Sequence, residues 1–374
     1  MDFPPAAACG NVVIDAMAKP KVEQTTSALP VHAATSSRGA LPGLLDTLAA
    51  MHAGGEPCVL GIVFATLGST YQKPGALVLL GNGGLRHGVI SGGCLEPALE
   101  ARAKAVLLDG RADVVEFDTR SDEDLAFGSG TGCRGRIHLL LLPLAAGAPL
   151  ALALTRLAAA SNPLELTLVI EGPQAGSGHA SLQDERWTWG SDGAAGDAQV
   201  AANAPGIVYL RLSPPPRVLL FGAGPETPHL HTLMQLLGWT VRVVEHRARW
   251  LAFARAAGVA GVIELAPDAA ASEWRAQPPG AAVAMTHNYL LDRKHLAHCA
   301  ESDIGYIGLL GPAARRDALL DELGDDVAAR LRGRLHAPVG LDLGGSGPEA
   351  LALSIVADLQ RHFTQQRRER SPAG

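Results

Sequence analysis

From Arg217 to Glu245 the chain alternates in a way that admits few folds. The apolar run Arg217–Phe221 reads as a buried strand. Gly222-Ala223-Gly224-Pro225-Glu226-Thr227 then turns the chain into a helix reaching Leu237, Gly238 caps it, and a second strand, Thr240–Val244, stops at Glu245. Strand, glycine turn, helix and strand in that order form a βαβ unit, whose parallel strands belong in a sheet covered by helices. The alternation continues through Val259–Leu265, Ala281–Thr286, Tyr306–Leu310 and a final helix Pro348–Phe363. Pro214-Pro215-Pro216 is a stiff break before it and marks the boundary.

Residues 214–363 therefore read as a Rossmann-like, doubly wound parallel-sheet domain. Gly222-x-Gly224 has the form of a dinucleotide fingerprint, and Glu245 lies near the spacing of a ribose-hydroxyl acceptor, although Thr227 replaces the third glycine. Met285-Thr286-His287-Asn288 and Gly308-Leu309-Leu310-Gly311-Pro312 each end a strand, where open α/β sheets place ligands. His287 faces a ligand there or serves as a structural hydrogen-bonder. Arg315 and Arg316 follow, either as a phosphate grip or as a solvated helix face.

The N-terminal half reads as a second α/β domain. A helix, Leu41–Ala53, is stopped by Gly54-Gly55, and a strand follows at Cys58–Ala65. Lys73-Pro74-Gly75 precedes the strand Ala76–Leu80, and Gly81-Asn82-Gly83-Gly84 turns into Leu85–Ile90 as a hairpin. Two glycine-set cysteines come next: Cys94 in Ser91-Gly92-Gly93-Cys94-Leu95-Glu96, and Cys133 in Gly128-Ser129-Gly130-Thr131-Gly132-Cys133-Arg134-Gly135. Cys94 stands at or just before a helix that runs to about Leu108. There free N–H groups and the helix dipole favour a thiolate. Two such turns point to one site with two sulfurs, Cys94 and Cys133. The plain alternative is a pair of small buried hydrophobes. Glu96 and Glu100, one turn apart, can share a helix face.

The division this gives is a disordered leader at 1–38, the N-terminal domain at 39–145, a β-rich connector at 146–213, the Rossmann-like domain at 214–363 and a basic tail at 364–374. A net charge of −6 and few aromatic residues over 374 residues leave no basic patch or stacking platform for nucleic acid. The five cysteines are too scattered for a disulfide framework, and no CxxC pair marks structural zinc. No apolar run is long enough to span a membrane and no signal pattern opens the chain, so the expectation is a cytoplasmic protein with reduced thiols. No His-x-x-x-His, paired-carboxylate or Ser/His/Asp pattern supports a hydrolase.

Together these blocks resemble the xanthine dehydrogenase accessory-factor family, XdhC/CoxI. The matches are Thr66–Thr70 with Lys73-Pro74-Gly75, Gly88–Glu96, Gly128–Ile137, Leu220–Gly224, Gly238-Trp239 with Val243–Arg247, Met285–Asn288, Tyr306–Pro312 and Leu335–Asp342. Glu245 stands where the family usually shows Asp, and Arg134 where glycine is frequent. The resemblance implies a non-catalytic chaperone that binds the molybdenum cofactor (molybdopterin) as transient cargo. It also implies delivery to a xanthine dehydrogenase-type molybdenum hydroxylase, with sulfuration by a cysteine desulfurase, and it is compatible with a homodimer. On this reading Cys94, Cys133, Gly92, Gly93 and Gly132 take the molybdenum end and Gly222 and Gly224 a phosphate, in one pocket between domains, with Glu245, His287 and Arg315 around it. Two other readings stay open: an NAD(P)-dependent oxidoreductase using Gly222, Glu245 and His287, and a sulfur carrier with a persulfide on Cys94.

Overall fold

The computed structural model describes residues 38–119, 135–190, 206–269 and 278–370. The first sheet is antiparallel, with strand order β3-β2-β1-β5-β4: β1 Cys58–Gly68, β2 Leu77–Gly81, β3 Gly84–His87, β4 Asp113–Asp118 and β5 Gly135–Pro143. Alternate side chains of a strand point to opposite faces. Leu140 and Leu142 pack under helix α1 (Ala40–Ala53), against Leu44 and Leu48. Leu139 and Leu141 join Leu99, Ala103 and Val106 of α2 (Glu96–Asp109) on the other face. Coverage on both faces explains why Leu139–Leu142 of β5 reads as an unbroken apolar run.

The connector contains helix α3 (Pro149–Ala159) and a second antiparallel sheet, order β8-β7-β6-β9: β6 Leu164–Val169, β7 Gly178–Leu182, β8 Glu185–Trp189 and β9 Ile207–Leu212. Leu150, Leu154 and Leu157 of α3 and Leu164, Leu166 and Leu168 of β6 belong to the same apolar core as Leu44 and Leu140. One core thus runs from the first sheet through the connector.

The third sheet is parallel, order β12-β11-β10-β13-β14-β15: β10 Arg217–Phe221, β11 Thr240–Glu245, β12 Val262–Glu264, β13 Ala281–Ala284, β14 Tyr306–Leu309 and β15 Leu335–His336. Helices α4 (Thr227–Leu236), α5 (Ala248–Ala256) and α9 (Pro348–Arg370) cover one face. Helices α6 (Tyr289–Ala300), α7 (Ala313–Leu323) and α8 (Asp325–Leu331) cover the other. The sheet is the Rossmann-like, doubly wound one read from the sequence, and its direction of winding reverses between β10 and β13. Among the described residues no helix is long and apolar enough to cross a membrane.

The sheet's two edges are used differently. Its amino-terminal edge meets the rest of the chain. At the start of β10 the Arg217 guanidinium donates to the carbonyls of Ala159 and Ala160 and to the Ser161 hydroxyl. At the end of α4 the Gln235 carbonyl accepts from Gly39 N at 3.0 Å. Its carboxyl edge is tied internally by Glu245, 2% exposed. The Glu245 carboxylate accepts from the N–H groups of Ala223, His246 and Arg247 and from the Arg247 guanidinium, while Arg247 Nη1 donates to the Thr286 carbonyl at 2.8 Å. One acid–base pair thereby joins the ends of β10, β11 and β13.

Burial pushes the Glu245 carboxyl up, but Arg247 and the backbone N–H groups outweigh it and hold the group at about 2. A carboxyl depressed on folding adds stability that is complete above its unfolded value of about 4.3 and is lost as pH falls toward the folded one. Glu245→Gln should therefore lower stability at pH 7 by about 2–3 kcal/mol and flatten the acid limb between about pH 4.3 and 2. Urea titrations of both proteins across pH 2–7 check this; parallel acid limbs would contradict it.

Candidate functional site

Cys94 is held out by a turn that its neighbour Glu96 clamps. The chain leaves β3, buries Ile90 and Ser91, and exposes Gly92 and Gly93. Glu96, the first residue of α2, folds back over this segment. Its Oε1 accepts from Ser91 N at 2.8 Å and Ile90 N at 3.2 Å; its Oε2 accepts from Ser91 Oγ at 2.5 Å and Gly93 N at 3.1 Å. Ser91 Oγ in turn accepts from Leu95 N at 3.0 Å and from the Cys94 thiol at 3.5 Å. Burial raises the Glu96 carboxyl, yet the Ser91 hydroxyl and the N–H groups bring it below its ordinary value, so it is anionic at neutral pH. Gly93 has φ of 110°, which a side chain resists, and a Cβ at Gly92 or Gly93 would meet nothing within 4 Å. The turn is rigid behind and open in front.

Among the described cysteines Cys94 alone is not buried. Cys58 donates to the Leu144 carbonyl at 3.0 Å, and burial pushes its thiol up to about 11. Burial pushes Cys299 up to about 12. Both are core thiols. Among the described residues no group of three or more His, Cys, Asp and Glu could hold a metal ion, so Cys94 offers a single soft donor. Glu100 does not join Glu96: its Oε1 accepts from Leu85 N at 2.9 Å and secures β3.

Gly132 and Cys133 lie outside the described residues. The residues that flank their segment are placed: Thr119 N donates to the Gly135 carbonyl at 2.9 Å, and Gly135 pairs with Gly68 at the end of β1. The register of β1, β2 and β3 puts this end of the sheet on the side where β3 runs out toward Cys94.

The other predicted residues, Gly222, Gly224, Glu245, His287 and Arg315, converge at the carboxyl edge of the parallel sheet, where the winding reverses. Their hydrogen bonds are already committed. Gly222 N donates to the Val244 carbonyl at 2.8 Å, Ala223 N to Glu245 at 2.9 Å and Gly224 N to Thr227 Oγ1 at 2.8 Å. Thr227 thus closes the turn that a third glycine would have left open. Glu226, 3% exposed, stands just before the first residue of α4, and its Oε1 lies 2.6 Å from where a Cβ on Gly224 would stand. A diphosphate needs free N–H groups and positive potential at this helix start; here it would meet a carboxylate. Glu245 is spent on backbone and Arg247, and so is not available to a ribose. Arg315 pairs with the fully buried Asp292 at 2.5 Å, which also accepts from Thr286 Oγ1 at 2.7 Å. The residues do not fit a bound dinucleotide.

His287 is an exposed group of this edge. Its Nε2 lies 3.1 Å from Glu226 Oε1, and that contact raises its pKa against the opposing effect of burial. Its φ of 56° is unusual for a residue with a side chain. Glu226, Arg247 and Asp292 were not singled out from sequence. The available signal was a carboxylate beside the glycine turn at a helix start; its histidine partner is 61 residues away.

The single pocket expected between domains is corrected by this arrangement. The N-terminal part meets the amino-terminal edge of the parallel sheet, through Gly39 and Arg217, whereas Gly222 and Gly224 sit at the opposite edge.

Two family models match the chain, the XdhC Rossmann domain over residues 218–359 and the XdhC and CoxI family over residues 51–118. A Bacillus subtilis (strain 168) protein, named as a probable subunit of xanthine dehydrogenase, is 29% identical over 315 residues, covering 81% of this chain and 92% of that protein. A crystal structure of a protein described as a xanthine dehydrogenase from Bacillus halodurans is 28% identical, with a TM-score of 0.72, covering 89% of this chain and 98% of that one. The two models jointly take in more than half of the sequence and every motif block above except Gly128–Ile137, in the same order, and the chain belongs to the XdhC and CoxI family.

Proposed function

We propose that this protein is an accessory factor of a xanthine dehydrogenase-type molybdenum hydroxylase, holding the molybdenum cofactor as cargo in the cytoplasm and handing it on. The observation that carries the reading is the Cys94 turn: an accessible thiol on a preformed loop, in a protein whose relatives are named for xanthine dehydrogenase. A thiophilic metal accepts such a soft donor. Glu96 and Ser91 fix where the sulfur stands, so little ordering entropy opposes contact with the cargo. A hold through one or two thiols also releases readily, which transfer requires. Cys133 is proposed as the second donor, a cysteine desulfurase as the partner that sulfurates the cargo, and a second copy of the chain as a further partner. The protein itself is proposed to be non-catalytic.

The oxidoreductase reading draws no support from the geometry. The N–H groups of the glycine turn are bonded internally, and Glu226 stands where a diphosphate would lie.

Protein purified without oxygen tests the cargo role. Cys94→Ser should reduce co-purified molybdenum and pterin at least about tenfold, equivalent to ~1.4 kcal/mol, at unchanged melting temperature. Glu96→Gln, which loosens the turn but keeps the thiol, should give a smaller loss. Retention unchanged in Cys94→Ser removes the assignment. In a separate titration followed by nicotinamide fluorescence, neither NADH nor NADPH should saturate the protein below ~1 mM, a free energy of only about −4 kcal/mol. Micromolar binding would restore the oxidoreductase reading.

A further inference from the structure

Three parts of the chain leave a cleft of about 990 Å³ between them. One wall is the loop end of the first sheet, residues 71–77 and 87–89, with the start of α1. A second is the end of α3 with residues 211–216. The third is the amino-terminal edge of the parallel sheet, where Arg217 opens β10 and Gly280 and Gly305 precede β13 and β14, with the end of α9 alongside. The volume stands at the upper end of ordinary small-molecule sites. Gly88 and Val89 belong to the wall, and the same segment then leaves the cleft and carries Cys94 toward α2.

The lining is cationic in a chain of net charge −6. Lys73, Arg211, Arg217 and Arg367 line it against a single carboxylate, Asp303. Arg211 is partly committed, to Glu165 at 3.2 Å. Arg217 is the most informative. It is 9% exposed, and the acceptors it meets, two carbonyls and a hydroxyl, are neutral. Among the described residues no carboxylate pairs with it. A buried cation without an anionic partner is costly, and an anion beside it offsets that cost. Burial, and then the Arg242 charge, lower its pKa accordingly.

The rest of the lining is mixed. The rigid run Pro214–Pro216 and Tyr71, 63% exposed at the lip, bring flat apolar faces beside Gln72, Ser161 and Gln366, while Leu44 and Leu157 are buried beneath the lining. The Tyr71 and proline faces suit a ring, with phosphate oxygens turned to the guanidinium and ammonium groups, which match them in charge and geometry. We propose that this cleft binds an organic phosphate that carries a planar ring and is about the size of a nucleotide. Its identification with the phosphate end of the cargo rests on the chaperone reading above; the charge and shape of the cleft do not. The ligand bridges three parts of one chain and so stabilises their packing as well as filling the site.

The full-length protein is titrated with AMP, GMP and CMP, with the matching nucleosides, and with inorganic phosphate at constant ionic strength, by calorimetry and thermal melting. At least one nucleotide should bind at least about tenfold more tightly than both its nucleoside and phosphate, and should raise the melting temperature. A Lys73→Ala/Arg367→Ala variant, altered only at exposed side chains, should lose at least about tenfold in that affinity at unchanged apo melting temperature, while Cys94→Ser should keep it. Nucleotides binding no better than phosphate, or equally well in the double variant, overturn the cleft and leave the thiol reading standing. Cargo retained in Cys94→Ser overturns the thiol reading and leaves the cleft.

Discussion

A carboxylate that turns back onto its own backbone holds each of the two described glycine turns in shape. Glu96 gathers the N–H groups of Ile90, Ser91 and Gly93, and Glu245 gathers those of Ala223, His246 and Arg247. The interaction is the same, a charged acceptor satisfying several donors at once. Its consequences differ. At the first turn the donors are used up behind the loop, and Cys94 is left forward with space in front. At the second, Glu245 takes the Ala223 N–H while the Val244 carbonyl and Thr227 Oγ1 take those of Gly222 and Gly224, where a dinucleotide would have needed them, and Glu226 adds a negative charge at the start of α4. One device presents a thiol; the other closes a phosphate site that the fold ordinarily keeps open.

The way the parts are joined gives this its functional meaning. Arg217 and Gly39 dock the N-terminal part on the amino-terminal edge of the parallel sheet, so the cleft between parts forms at the end opposite the glycine turn. Ligand chemistry is thereby distributed. A soft donor stands at the loop end of the first sheet, a cationic cleft lies between the parts, and a self-satisfied charge cluster with the exposed His287 remains at the carboxyl edge. For the proposed role of holding a cargo and giving it up, separate weak holds suit release better than one tight cavity.

Much of the fold was legible because burial leaves period and punctuation in the sequence. Leu139 to Leu142 read as a strand because both faces are covered, and Arg217 to Glu245 because glycine and apolar runs mark the βαβ order. Helix α3 was not legible. Its Pro-Leu-Ala-Leu-Ala-Leu opening alternates like a strand, and only packing shows that Leu150, Leu154 and Leu157 face the core while Leu152 is 49% exposed. In the candidate site, Cys94 stood out by its glycines. The Glu226–His287 contact and the Arg315–Asp292 pair did not, because no local pattern reports a partner 61 or 23 residues away. Which edge of the parallel sheet meets the rest of the chain is likewise a matter of tertiary packing. It is decided by Arg217 meeting the carbonyls at the end of α3.

The proposed role turns on whether the Cys94 sulfur touches the metal of the cargo. X-ray absorption at the molybdenum edge, on protein loaded and kept without oxygen, reads this contact. One more sulfur scatterer is expected in the wild-type complex than in the free cofactor, absent when Cys94→Ser is loaded under the same conditions. Identical molybdenum–sulfur shells in the wild type, the variant and the free cofactor would overturn the assignment.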